Sequence, residues 1–186
     1  MQDNSFDDSD FSEFLMPRSQ QAQPSSIRFT PANGDAITRL MRRLLGELDH
    51  YYPIEKASLA LYDHAGARLC VSHLYHDGTV KTGLALALPD GRSLLYEILQ
   101  QGFPVADNYP ELIAAGTVEK KILLGSRTKS VLIIPLIHDG DRLGVLSLAS
   151  PKDSAFSIYL DGAGESTVGR FVTDLEDVFS KVVNAG

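Results

Sequence analysis

The chain contains no tryptophan and one cysteine, Cys70. An intramolecular disulfide is therefore impossible, and zinc sites built on cysteine pairs are excluded. A lone cysteine in a strand pattern reads as a small buried apolar residue, and the shortage of thiols suits a reducing compartment. Long hydrophobic runs are missing too: the longest cover about seven residues, where a bilayer span needs roughly 20. Basic charge is also short, with 17 Lys and Arg against 24 Asp and Glu, a net charge of -7 and a pI near 5.1. That balance argues against a general nucleic-acid surface and against electrostatic binding to an anionic membrane. The N-terminus is acidic and lacks the basic-then-apolar layout of a signal peptide. The expectation is a soluble, cytoplasmic protein with neither nucleic acid nor membrane as partner.

What is present fits one domain and a tail. Residues 1–33 are rich in Ser, Asp, Gln and Pro and poor in apolar side chains, a composition that disfavours a packed core. Within this tail Phe6, Phe11, Phe14, Leu15 and Met16 stand among Asp7, Asp8, Asp10 and Glu13. Such an acidic, apolar segment is either a disordered leader or a docking sequence for a partner or for its own domain. Residues 34–186 carry the folded pattern.

The clearest element is Ser130–Ala149. Val131, Ile133 and Ile137 share one strand parity, and Leu132, Ile134 and Leu136 the other. Alternate side chains point to opposite faces, so both faces of this strand must be covered. His138-Asp139-Gly140-Asp141 turns it into a second strand. Three further strands are expected at 57–62, 68–75 and 80–88, each closed by an Asp with Gly. Helical stripes mark about 35–50 (Ile37, Leu40, Met41, Leu44, Leu45, Leu48) and the C-terminal stretch from about 165 (Val168, Phe171, Val172, Leu175, Val178, Phe179, Val182). Gly162 and Gly164 weigh against an earlier start of that last helix. Between them, residues 92–129 read as a short helix stopped at Gly102, an extended Pro104-Val105-Ala106, and a second helix at about 111–124. The fold class is α+β, an α/β sandwich: an antiparallel sheet of about five to six strands, with the terminal helices on one face and short helices on the other.

Ile134-Pro135-Leu136, the turn at Gly140, Leu143-Gly144-Val145-Leu146 and a loop Phe, here Phe156, together resemble the GAF family of sensory domains. Pro104-Val105-Ala106-Asp107 resembles the family's Pro-Val-x-x-Asp piece with Asp one place early. The likeness spans about residues 35–183, and its C-terminal third looks most like a bacterial branch of undefined function. It implies a small-molecule sensing or regulatory domain in bacterial signal transduction, coupling a pocket to terminal helices that pair as a homodimer. The scattered Asn-Lys-x-Phe-x-Asp-Glu signature of the cyclic-nucleotide members cannot be placed. Cys70 lies on a strand rather than on the pocket-side helix where bilin-binding members attach a chromophore. The methionine-sulfoxide-reductase branch uses several cysteines, and a single one leaves no internal resolving partner. No cofactor is assigned.

No catalytic constellation stands out either. Ser72, His73, His76 and Asp77 are close in sequence, but Ser72 and His73 point to opposite faces of a regular strand. The same parity separates Cys70 from His73, which argues against a metal pair, and no Gly-x-Ser-x-Gly, Walker or His-Glu-x-x-His motif occurs. A pocket is expected between the sheet and residues 92–129. The candidate ligand-binding residues are His73, Tyr75, Leu86, Tyr96, Asp107, Tyr109, Arg127 and Ile133, with Leu84 as a further apolar liner. Asp107 also reads as a helix cap, and Arg127 as a solvated or charge-balancing side chain. Two alternative functions stay open: a ligand-free interaction and dimerisation module, and a small enzyme of unrecognised chemistry.

Overall fold

The computed structural model describes residues 31–63, 66–88, 93–108, 113, 115–157, 159 and 163–183. The elements run α1 (Pro31–Leu48), β1 (Lys56–Asp63), β2 (Arg68–His76), β3 (Thr79–Ala87), α2 (Leu94–Gln101), β4 (Val105–Asp107), α3 (Thr117–Leu123), β5 (Ser130–His138), β6 (Asp141–Ser150) and α4 (Ala163–Val183). One six-stranded sheet forms, with strand order β3-β2-β1-β6-β5-β4 and every pair antiparallel. The α+β expectation holds. Central β1 and β6 are buried along nearly their whole length, as residues with two covered faces must be.

The local chemistry explains the elements. Asp77-Gly78 and Asp139-Gly140 each place two consecutive residues at positive φ, the conformation that matches strand twist in a two-residue hairpin. Ser93 caps α2 by accepting from the Tyr96 amide, and Gly102 ends that helix in the left-handed region. α1 starts at Pro31, four residues before the expected Asp35, so 31–33 belong to the helix and not to the tail. Proline is well suited to a first helical turn, where its missing N–H has no partner to lose. α4 likewise includes Gly164 in its first turn. A Cβ there would stand 2.5 Å from the Tyr52 hydroxyl, so the glycine serves close packing rather than a break. The second cover helix is shorter than expected: α3 covers 117–123, and 109–112 and 114 lie outside the described residues.

The sheet divides the interior in two. On one face α1 and α4 bury Ile37, Met41, Leu44, Leu48, Phe171 and Leu175 against Leu59, Leu61, Leu132, Ile134, Leu136, Leu146 and Leu148. On the other, α2 and α3 bury Leu95, Ile98, Leu99, Ile122 and Leu123 against Ala60, Val71, Leu86, Val131, Ile133 and Val145. α1 and α4 run antiparallel: Arg43 pairs with Asp174, and Arg170 with Glu47. Leu44 is only 2% exposed, and the groove between the helices carries charged rims.

Candidate functional site

Strand β2 decides which face the expected ligand residues occupy. Leu69 and Val71 belong to the cover-helix face. A β-bulge then interrupts both of its pairings: Leu59 stands opposite His73 but Ala60 opposite Val71, leaving Ser72 as the extra residue, and the β3 side shifts at the same place. An extra residue reverses the parity beyond it. His73 and Tyr75 therefore turn to the terminal-helix face, while Leu74 stays with the cover helices. Neither His73 nor Tyr75 lies where the pocket was expected. The bulge also overturns the expectation that Ser72 and His73 point apart, since His73 Nδ1 is 2.8 Å from Ser72 Oγ.

The resulting contacts are internal. The Ser72 hydroxyl donates to the Leu59 carbonyl, and His73 Nε2 lies 3.2 Å from Thr38 Oγ1, whose hydroxyl donates to the Gly34 carbonyl. Both Ser72 and His73 are buried, and their polar atoms are engaged by groups of the chain itself. Burial pushes the imidazole down to about 4, with the Gly34 backbone pulling the other way. The unfolded chain thus binds more protons than the folded one between pH 4 and the ordinary value of 6.5. Stability is full above that value and falls as pH drops towards 4, by up to about 3 kcal/mol. In His73→Gln this acid-side slope is expected to flatten. Urea midpoints measured from pH 4 to 7 check it, and an unchanged slope would sink the assignment.

Arg127 is engaged in ion pairs outside the cover face. The Arg127 guanidinium reaches Asp77 at 2.8 Å and Glu55 at 3.5 Å, and its amide donates to Glu55 as well. Glu55 is buried and also accepts from the Thr128 hydroxyl. Arg127 therefore balances an acidic neighbour and fastens the loop before β5. Asp107 closes edge strand β4 opposite Val131. Leu86, Tyr96 and Ile133 do come together on the cover face. Tyr109 and the Leu84 side chain lie outside the described residues.

The floor beneath the cover helices holds features that strand patterns had not flagged. On β1, Lys56, Ser58, Ala60 and Tyr62 share the parity of the cover face; on β6, Val145, Ser147 and Ala149 do. Ser58 and Ser147 stand directly opposite, and their hydroxyls are 2.5 Å apart in full burial. Tyr62 and Tyr96 form a second polar pair, with ring centroids 6.3 Å apart. Burial, then the Tyr96 hydroxyl, hold the Tyr62 phenol above its ordinary value. The available signal was the small, polar parity of Lys56-Ala57-Ser58-Leu59-Ala60, which looks like a solvent face until α3 is placed over it.

Two buried charges fix the cover. Glu119 on α3 is 2% exposed and accepts from the Ser93 hydroxyl at 2.6 Å, the Leu94 and Leu95 amides at 3.1 Å, and the Gly116 amide at 3.4 Å. It thereby satisfies N–H groups at the start of α2 that have no partner within the helix. Lys56 donates to the carbonyls of Lys121 and Leu124, closing the far end of α3. Burial lowers the Lys56 ammonium to about 8, against the opposing pull of Glu55. Among the described residues no group of three or more His, Cys, Asp or Glu could hold a metal, and no helix is long and apolar enough to cross a membrane.

The sequence matches no family model and no curated protein. Solved structures do match. The GAF domain of a two-component sensor histidine kinase from Bacillus halodurans aligns with a TM-score of 0.59 at 21% identity, over 76% of this chain and 94% of that one. The GAF domain of an Acinetobacter phosphoenolpyruvate-protein phosphotransferase aligns at 0.56 and 16%, over 85% and 98%. A type II free methionine-R-sulfoxide reductase from Thermoplasma acidophilum aligns at 0.58 and 16%, over 79% and 96%. With the helix-sheet-helix layering and strand order above, these likenesses show that the described residues between 31 and 183 adopt a GAF-like fold.

Proposed function

We propose that this domain is a cytoplasmic signalling module that takes a small molecule between the sheet and α2–α3 and passes its occupancy to α1 and α4. The observation that carries the reading is the floor at Ser58, Ala60, Ser147 and Ala149: small side chains with two buried hydroxyls, beneath the apolar side chains Leu95, Ile98, Leu99, Ile122 and Leu123 of the cover. Ligand sites combine apolar walls with a few placed polar groups in this way. Ser58, Ser147, Tyr62 and Tyr96 supply the polar contacts, and Leu86 and Ile133 the apolar ones. GAF-like neighbours in a histidine kinase and a phosphotransferase support a regulatory role. Native mass spectrometry of the chain purified from cells is expected to show a small-molecule adduct. Ser147→Leu, which fills the floor, should lose the adduct while keeping a cooperative melt. An adduct retained unchanged in Ser147→Leu and Tyr96→Phe would place the ligand elsewhere.

A ligand-free dimerisation module is the second reading. Leu95, Ile122 and Ile133 are each no more than 2% exposed, so the cover closes on the floor without help. In either case pairing of two copies runs through the outer face of α1 and α4. With Arg43, Glu47, Arg170 and Asp174 on that face, a dimer should weaken as salt rises. Light scattering at low and high ionic strength checks this, and a mass that stays monomeric at both would remove the dimer.

A further inference from the structure

We propose that the acidic, apolar segment Phe6–Met16 of this chain docks in cis on the outer face of α1, over Arg39, Arg42 and Arg43 and into the groove between α1 and α4. Three arginines within five residues form an exposed ridge on a chain of net charge -7. Arg43 is spoken for by Asp174 and Glu47, but Arg39 and Arg42 make no ion pair with any described residue. The adjoining groove holds about 310 Å³ above a floor of Leu44 and Phe171.

The segment matches this surface in charge and in reach. Asp3, Asp7, Asp8, Asp10 and Glu13 precede the first basic residue, Arg18, and Phe6, Phe11 and Phe14 supply rings for the groove. From the start of α1 at Pro31, the ridge lies roughly 12–18 Å along the helix at 1.5 Å per residue. The chain from Glu13 to Pro31 has a root-mean-square span of roughly 21–25 Å if it behaves as a flexible coil. Span and distance agree, so the tether holds the segment at a local concentration in the millimolar range. A separate acidic partner would have to compete with that. The inference is independent of the ligand reading, and on this face the tail competes with a second copy for the groove lined by Arg43, Glu47, Arg170 and Asp174.

The test is paramagnetic broadening in the full chain, with a nitroxide on Ser12→Cys in a Cys70→Ser background. At ~0.02 M salt the amides of residues 39–43 and 170–174 should lose about half their intensity or more, and recover at ~0.5 M, where charges are screened within a few ångström. Arg39→Glu with Arg42→Glu should abolish the loss. As a label-free check, Asp7→Lys, Asp8→Lys and Asp10→Lys together should shift the amides of 39–43 in the chain that keeps Cys70. Absence of broadening at low salt together with no such shift overturns the proposal, as does broadening that survives both high salt and the double charge reversal. A sample mixing spin-labelled chain with isotope-labelled, unlabelled-tail chain separates the occupants. Broadening confined to that mixture overturns docking in cis and assigns the face to the tail of a second copy.

Discussion

Gly144→Ala is expected to destabilise the domain by about 3–5 kcal/mol, a large part of the 5–15 kcal/mol that holds a typical domain together. Gly144 sits in β6 opposite Leu61 of β1 and Leu136 of β5, at a φ of +155° that L side chains rarely adopt. A Cβ built there lies 2.1 Å from the Ala60 carbonyl oxygen and 3.0 Å from the Leu61 Cα. Both obstacles are backbone of the central strand, so no rotamer change relieves them. Backbone strain of this kind costs about 1–3 kcal/mol by itself, and the clash adds to it. A thermal melt should fall by about 10 °C or more for a domain of this size. A melt within about 2 °C of the parent would mean that β1 and β6 separate at this point without penalty, contrary to their pairing.

Glu119→Gln comes next in size. The carboxylate offers two acceptor oxygens to four donors in a buried site. An amide offers one oxygen and turns two N–H groups towards the others. At least one backbone donor of α2 then loses its partner, at about 1–3 kcal/mol for each buried group left unsatisfied. The loss should concentrate in the cover layer. Hydrogen exchange at Leu94 and Leu95 is expected to accelerate more than tenfold, while exchange in β1 and β6 follows only the global change. Equal acceleration throughout would show that the cover has no separate stability and that Glu119 acts through the whole fold.

Much of the architecture was legible because short-range chemistry and long-range packing agree. Asp-Gly at positive φ announced both tight hairpins, Gly102 announced the end of α2, and the stripes of α1 and α4 followed their buried faces. The site was legible only in part. Leu86, Tyr96 and Ile133 sit on the cover face as expected. His73 and Tyr75 do not, because parity counting has no way to foresee the single extra residue at Ser72. Nothing in the sequence marks Lys56 or Glu119, since a lysine opening a strand and a glutamate on a short helix are usually surface charges. Only the folded chain reveals that each closes a helix end. Arg127 illustrates the reverse: its bland reading as a charge-balancing side chain describes where it sits.

The strand order has a kinetic consequence. β1–β2–β3 is a run of neighbours in sequence, and β5–β6 is a local hairpin, so each can form early. The centre of the sheet cannot, because Lys56 must find Ala149 and Leu61 must find Gly144 across most of the domain. Pairings so distant in sequence slow folding, since loop closure precedes any gain. During synthesis β1 emerges long before its partner, with an apolar edge open to other nascent chains. Joining β6 to β1 is therefore the step that commits the chain, and the interval before it is when aggregation competes best.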